Sequence, residues 1–367
     1  MSRLWTSLLS AAVLLLGTHL ALASNVAVGT CKPSLPSYPS ISAAVAGAPT
    51  GSTVEICPAA YYEQVFINQS LNLEGVSSGN STDVVIYPPA TGLTTVTEPE
   101  GYVLAPGIVV NAGPVNISNV TVDATGNLVS PGSANCVGIY YNDGVSGTIN
   151  EVTARLQNGC GGYDSGVWAD TTASSTLTVE NSSFHNIGDS SVLIIGGINL
   201  TLKGNTMEAS AYNAQAFVTN LTMTGNFLEG TGCCWGLTTF YTAGTVSSNT
   251  IDNTGYGVYE QGGSTLDFTR NSISNSQVGI YLNGGGDTFK SNTISRSSTA
   301  IEFNCNGPTV NSNTVNDATT GFDLVPAGFS GVNKFNNVST IRTDGCTEGA
   351  TKHGPGSPGK PMPAPSR

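Results

Sequence analysis

Glu302 and Asp323 stand 21 residues apart, and Tyr281 and Tyr259 precede Glu302 at intervals of 21 and then 22. If the chain winds with that period, such residues sit on neighbouring strands about 4.8 Å apart. Two carboxylates at that separation suit three chemistries. They can act as the pair of a retaining glycosidase, share one proton, or hold a hard cation such as calcium. Tyrosine rings in the same row offer flat apolar faces with a polar tip, suited to stacking on sugars. Followed back along the chain, the row takes in Thr238, Leu193, Trp168 and Tyr140; its member near residues 212–218 is left unassigned. The catalytic candidates are therefore Glu302, Asp323 and Tyr281, and the carbohydrate-binding candidates Tyr140, Trp168, Tyr259 and Tyr281. Calcium is the candidate metal, at Glu302 and Asp323, and no other cofactor is expected. The plain alternatives are a solvated acidic face, and aromatic strand formers that stack on one another.

A second set recurs in step with the first: Asp123, Arg155, His185, Glu208, Glu229 and Asp252. His185 is a general-base candidate by its chemistry. Its place between Arg155 and Glu208 reads better as part of a surface ladder of opposite charges, each pair of which contributes little.

The period that would position these residues is carried by asparagine. Asn205, Asn226, Asn249, Asn271, Asn292 and Asn313 recur at 21, 23, 22, 21 and 21 residues, inside segments such as Val246-Ser-Ser-Asn-Thr-Ile251. A second ladder of small residues, Gly236, Gly257, Gly279, Ala300 and Gly321, keeps the same step. Apolar residues alternate over short runs with no 3.6-residue periodicity, which predicts brief strands, three per winding of a solenoid. One winding cannot bury its own inner face, so stacked windings must share one core. The asparagines are expected at turns, taking left-handed backbone geometry and bonding to their copies above and below. The small residues are expected to allow tight turning.

Composition narrows the function. Of 367 residues only 10% are charged, 45 are Gly, and the net charge is −12. So acidic a chain argues against nucleic-acid binding, which relies on Lys and Arg. Residues 1–23 have a basic start at Arg3, an apolar core and a small-residue end at Ala23, the pattern of an export signal. The expected product is a secreted, soluble and monomeric protein without a membrane span. Eight cysteines then meet an oxidising compartment. Cys31 with Cys57 and Cys136 with Cys160 each bridge about one repeat, while Cys233 and Cys234 form a vicinal bridge or pair elsewhere. Residues 24–345 are expected to form one domain, with a cap region over 24–60 and a disordered Gly/Pro-rich tail over 346–367. Excursions at 88–107 and 123–135 are expected to lengthen the early windings. Sequons at eight asparagines, Asn68 and Asn220 among them, matter only in a glycosylating host.

With its two ladders and its opening, Ser40-Ile-Ser-Ala-Ala-Val45 before strands at Thr53–Cys57 and Tyr61–Ile67, the chain resembles the right-handed parallel β-helix superfamily of pectin-lyase-like proteins over about residues 35–342. The resemblance implies an all-β, three-sheet right-handed solenoid of about 22 residues per coil, capped by a short N-terminal helix. It also implies an asparagine ladder between the second and third sheets, and enzymes that work on the outer face of the first. The superfamily's known catalytic signatures do not occur: there is no Asp-Asp, no Gly-His-Gly and no Asp-Pro-His-Glu. No clustered basic pair is evident on the expected face, as a lyase would need to neutralise a uronate. The function expected is binding of extracellular or cell-surface polysaccharide without catalysis. The alternative is a polysaccharide lyase, glycoside hydrolase or epimerase acting on that face.

Overall fold

A computed structural model describes residues 24–76, 83–283, 286–303, 307–327 and 329–345. The expected tail at 346–367, the leader at 1–23, Cys305 and Cys346 lie outside them. Within these residues the chain forms 33 strands and one helix. All strand pairings are parallel except Val96–Thr97 with Val103–Val110. The helix, Ile41–Gly47, is capped by Ser40, whose side chain accepts from the Ala43 N–H, and it buries Ile41, Ala44 and Val45. The Glu63 carboxylate accepts from the N–H groups of Ile41 and Ser42, both at 2.8 Å, satisfying two donors a helix start leaves open. The helix thus covers the open end of the core.

Each later coil repeats one plan: a first-sheet strand such as Tyr256–Gln261, a second-sheet strand Thr265–Thr269 and a third-sheet strand Ser272–Ser274. Each pairs with its copy one coil on. Val258, Phe268 and Ile273 point into one continuous core with their counterparts. Phe268 and Phe289 stack there at 4.5 Å.

Between the second and third sheets the asparagine ladder is continuous. The Oδ1 of each rung accepts both the backbone N–H and the side-chain amide of the rung before, from Asn205 through Asn313 to Asn333. Asn333 is an added rung. One expectation is corrected here. The left-handed residue is the one before each rung, Gly204, Gly225, Ser248, Arg270, Ser291 and Ser312, with φ of 56–66°. The amides serve hydrogen bonding alone.

The small-residue ladder has a different cause from the one expected. Among positive-φ glycines, Gly236, Gly257, Gly279 and Gly321 do not appear. A Cβ on Gly257 would meet the carbonyl oxygen of Gly279 and the Cγ2 of core Ile273, each at 2.5 Å, and Gly236 and Gly279 meet the same kind of neighbours. The chain passes so close to the third sheet that at these glycines only hydrogen fits, and Ala300 alone of the ladder carries a methyl. Disulfides join Cys31 to Cys57 and Cys136 to Cys160, as read from their spacing. No helix of the described residues is long and apolar enough to cross a membrane.

Candidate functional site on the outer face of the first sheet

The row deduced from sequence is one register column. Tyr140, Trp168, Leu193, Gln215, Thr238, Tyr259, Tyr281, Glu302 and Asp323 are successive Cα partners. Gln215 fills the place left unassigned. Three residues earlier on the same strands runs a second outward column: Ser165, Ser190, Tyr212, Trp235, Tyr256, Val278 and Thr299. Members of both columns pack together outside the core although they are three residues apart, so strict alternation does not hold across the small residue.

Where the columns run together they make an aromatic cluster separate from the core: Trp235, Tyr256, Val278 and Tyr281, with Tyr212 and Tyr259 at its rim. Tyr212 stacks on Trp235 at 4.7 Å, and Tyr259 on Tyr281 at 4.8 Å. Tyr256 meets Tyr259 and Tyr281 edge-on at 5.3 and 5.9 Å. Tyr281 is only 3% exposed, so Tyr212 and Tyr259 carry the accessible ring surface. Burial, with Tyr259 and Glu302 nearby, pushes the Tyr281 phenol up to about 12, so it stays protonated and able to donate.

Polar groups flank the cluster. On one side Asp189 accepts from the Ser190 hydroxyl at 2.8 Å and from the Gln215 amide at 3.3 Å, while that amide also reaches the Ser190 oxygen at 2.6 Å. Burial pushes the Asp189 carboxyl up to about 7. In the middle, the Trp235 indole N–H and the Thr238 hydroxyl are buried without a protein partner. On the other side Glu302 and Asp323 are adjacent and half-buried. Asp323 accepts from the Leu324 N–H at 3.0 Å and from the Thr343 hydroxyl.

The upstream half of the row differs from expectation. Tyr140 and Trp168 are 1% and 0% exposed, packed with Leu104, Val137 and Leu193 beneath Val96 and Tyr102. The 88–107 excursion lies over them, so in this conformation they present no ring face to a ligand. The Tyr140 hydroxyl donates to Asn142 Oδ1 at 3.1 Å. Sequence reasoning missed Trp235, Tyr256, Tyr212 and Asp189. A signal was present: residues 212, 235 and 256 repeat at intervals of 23 and 21, just ahead of the small-residue ladder.

His185 joins the surface ladder. It lies in register with Arg155, which pairs with Asp123 at 2.7 Å, and its Nδ1 is 3.3 Å from Glu208. As for metals, the one group of three ligand-type residues among those described is Cys136, Cys160 and Asp164. Its cysteines are joined in a disulfide, and Asp164 accepts three backbone N–H groups. It is a structural knot. Glu302 and Asp323 would offer a calcium ion only two carboxylates, short of the six to eight oxygens it takes.

A stacked three-sheet solenoid with a partnered outer face is a parallel β-helix. The model of the right handed beta helix region matches residues 137–294 and 210–350, more than half of the chain, and the chain belongs to that family. No curated protein matches it. Among solved structures it is similar to the A-module of mannuronan C-5 epimerase AlgE4 from Azotobacter vinelandii, at 14% identity and a TM-score of 0.60, covering 83% of this chain and 92% of that one. It is also similar to the GH136 lacto-N-biosidase from Eubacterium ramulus, at 10% identity and a TM-score of 0.50, covering 80% and 62% of the two chains. A third is XylC in complex with xylose, at 9% identity and a TM-score of 0.50, covering 86% of each. At these identities the likeness is one of fold.

Proposed function

We propose that the protein is secreted and binds an extended polysaccharide along the outer face of its first sheet. The observation that carries this reading is the aromatic cluster of Tyr212, Trp235, Tyr256, Tyr259 and Tyr281, which lies outside the core and has polar groups at both ends. Rings fixed in one orientation on a rigid sheet lose little entropy when a sugar ring stacks on them. Trp235 Nε1 and the Thr238 hydroxyl lack partners, so a ligand hydroxyl reaching them would satisfy groups otherwise left without a bond. Glu302 and Asp323 are acceptors for sugar hydroxyls farther along. The names of the structural neighbours, an epimerase of mannuronan, a lacto-N-biosidase and a xylose complex, accord with a glycan ligand. The two disulfides accord with export.

A second reading, turnover by a lyase, hydrolase or epimerase, is favoured by Asp189, a buried carboxyl beside the cluster that titrates near neutrality. One screen addresses both. The purified protein is passed over immobilised pectin, alginate, glycosaminoglycan and neutral glycans, and each is assayed for products. Retention that Tyr212→Ala and Tyr259→Ala each weaken at least tenfold, without product, supports binding. Product formation abolished by Asp189→Asn or Glu302→Gln supports turnover. No retention on any glycan, or retention untouched by the tyrosine changes, removes the face as the site.

A further inference from the structure

Two buried carboxyl groups stand apart from this reading. Asp170 lies two residues beyond Trp168 on the strand Ser165–Glu180. Glu98 lies in the turn of the antiparallel hairpin formed by Val96–Thr97 and Val103–Val110, over the same end of the sheet. Each is 3% exposed. Glu98 is pinned by its own turn, accepting from the Glu100 N–H at 2.8 Å and the Tyr102 N–H at 2.5 Å. Neither oxygen of Asp170 has a donor.

A carboxylate buried without protein donors is costly, and a proton or a cation would relieve it. Every carboxyl acting on Asp170 adds negative charge: Glu98 first, then Glu100 and Asp143. Asp143 is itself engaged by the Thr171 hydroxyl at 2.7 Å and the Thr172 N–H at 3.0 Å. No third ligand-type residue converges with the pair among the described residues, and a calcium ion needs six to eight oxygens. A proton needs only the two.

We propose that Asp170 and Glu98 share one proton, carried by Asp170, and that this hydrogen bond latches the hairpin tip over Tyr140 and Trp168. The tip is the part free to move, because Gln64 clamps its base through two bonds to Thr94, at 2.8 and 2.9 Å. Its underside is Tyr102, whose ring sits 5.8 Å from Trp168 and 5.4 Å from Tyr163. Tyr140 also faces the pair, its phenol held protonated by burial first and by Asp170 and Glu98 after that. Opening the latch uncovers Tyr140 and Trp168 at the upstream end of the outward row; that consequence for ligands rests on the glycan reading, whereas the latch does not.

Burial first, then the bond to Glu98, pushes Asp170 from an ordinary 3.8 up to about 9. The closed tip therefore holds one proton more than the open tip between these values. Its stability is full below the lower value and is lost as pH rises to the upper one. Within the window the opening equilibrium should grow about tenfold per pH unit. Hydrogen exchange on the full-length protein at pH 6, 7 and 8, read at the indole N–H of Trp168, which the closed tip buries beneath Tyr102, tests this. Base catalysis alone raises exchange about tenfold per unit, so the latch predicts a rise of about a hundredfold per unit. Asp170→Asn donates to Glu98 without titrating, and its slope should fall to about tenfold. A tenfold slope in the unmodified protein overturns the latch, whether or not the variant folds. So does protection at constant pH that EDTA removes, which would put a cation between the two groups.

Discussion

The side-chain oxygen of Asn249 accepts two hydrogen bonds from Asn226, one from its backbone N–H and one from its Nδ2, both at 2.9 Å. Asn249 in turn donates to Asn271 in the same way, at 3.0 Å twice. One residue type at one spacing thus ties three coils together at a buried corner.

Replacing Asn249 with Ala should therefore cost more than a single bond. It leaves the backbone N–H of Asn226 without its acceptor and the Met223 carbonyl without the Asn249 amide, although the Asn226 amide still reaches Leu202 O, and buried unsatisfied groups cost about 1–3 kcal/mol each. We expect a loss of roughly 2–5 kcal/mol, measured as a lowered denaturation midpoint at unchanged slope. Asn249→Asp keeps the acceptor, loses the donor and buries a charge; it should not restore stability. A change below about 0.5 kcal/mol for Asn249→Ala would refute the ladder's role.

Much of this was legible because a solenoid writes its contacts into its period. Near-equal spacing of Asn249, Asn271 and Asn292 implies contact, so the fold and the row from Tyr140 to Asp323, all but its Gln215, followed from counting. What counting misses is anything outside the period. The hairpin over Tyr140 and Trp168 belongs to one lengthened coil, and nothing in their own spacing shows that they are covered. Trp235 and Tyr256 were missed for a different reason: strict alternation puts residues three apart on opposite faces, yet Tyr256 and Tyr259, on either side of the close approach at Gly257, share one face.

The close approach at Gly257 gives the next expectation. Gly257→Ala places a Cβ 2.5 Å from the Gly279 carbonyl oxygen and from Ile273. Overpacking of this kind costs about 1–3 kcal/mol. The converse change, Ala300→Gly, removes a methyl from a ladder position that already tolerates one and should cost about 1 kcal/mol or less. Thermal unfolding of the two variants should separate them clearly.

Cys233 and Cys234, expected to be bridged, are both free thiols, Cys233 exposed and Cys234 buried, and Cys233 should react first. Hydrogen bonds from Cys234 and then Thr231 hold Cys233 below the usual thiol value, while burial and then Cys233 hold Cys234 above it. Brief alkylation followed by peptide mass mapping should find the label on Cys233 before Cys234. Equal labelling would show that the buried environment of Cys234 is not maintained in solution.

Buried acids make a pH prediction with a definite sign. Asp287 is 1% exposed; its Oδ1 accepts from the Leu266 N–H at 2.8 Å, and its Oδ2 has no donor. Burial, with Glu260 and Asp267 adding repulsion, pushes it up to about 7. Asp189 is pushed to about 7 as well, again chiefly by burial. A carboxyl whose folded value is raised contributes its full stability below the unfolded value of 3.8 and loses it as pH climbs to about 7. The melting temperature should therefore be higher at pH 5 than at pH 8. Asp287→Asn, which is neutral at both, should narrow the gap. A melting temperature that rises from pH 5 to pH 8 would mean that these groups are solvated in solution.

The last expectation concerns Glu302 and Asp323 and separates a hydroxyl-binding role from a metal site. If the pair accepts bonds directly from sugar hydroxyls, Glu302→Gln removes one charge-assisted bond, a loss of about 1.5–3 kcal/mol in affinity for whichever glycan is retained. That is roughly a tenfold to hundredfold weaker affinity, and EDTA should leave the unmodified protein's binding unchanged. If the pair instead holds calcium between itself and the ligand, EDTA alone should reproduce the effect of Glu302→Gln, and adding calcium should restore binding to the unmodified protein only. A shared cation would also make Asp323→Asn and Glu302→Gln equal in their effect on binding, and calcium would rescue neither variant.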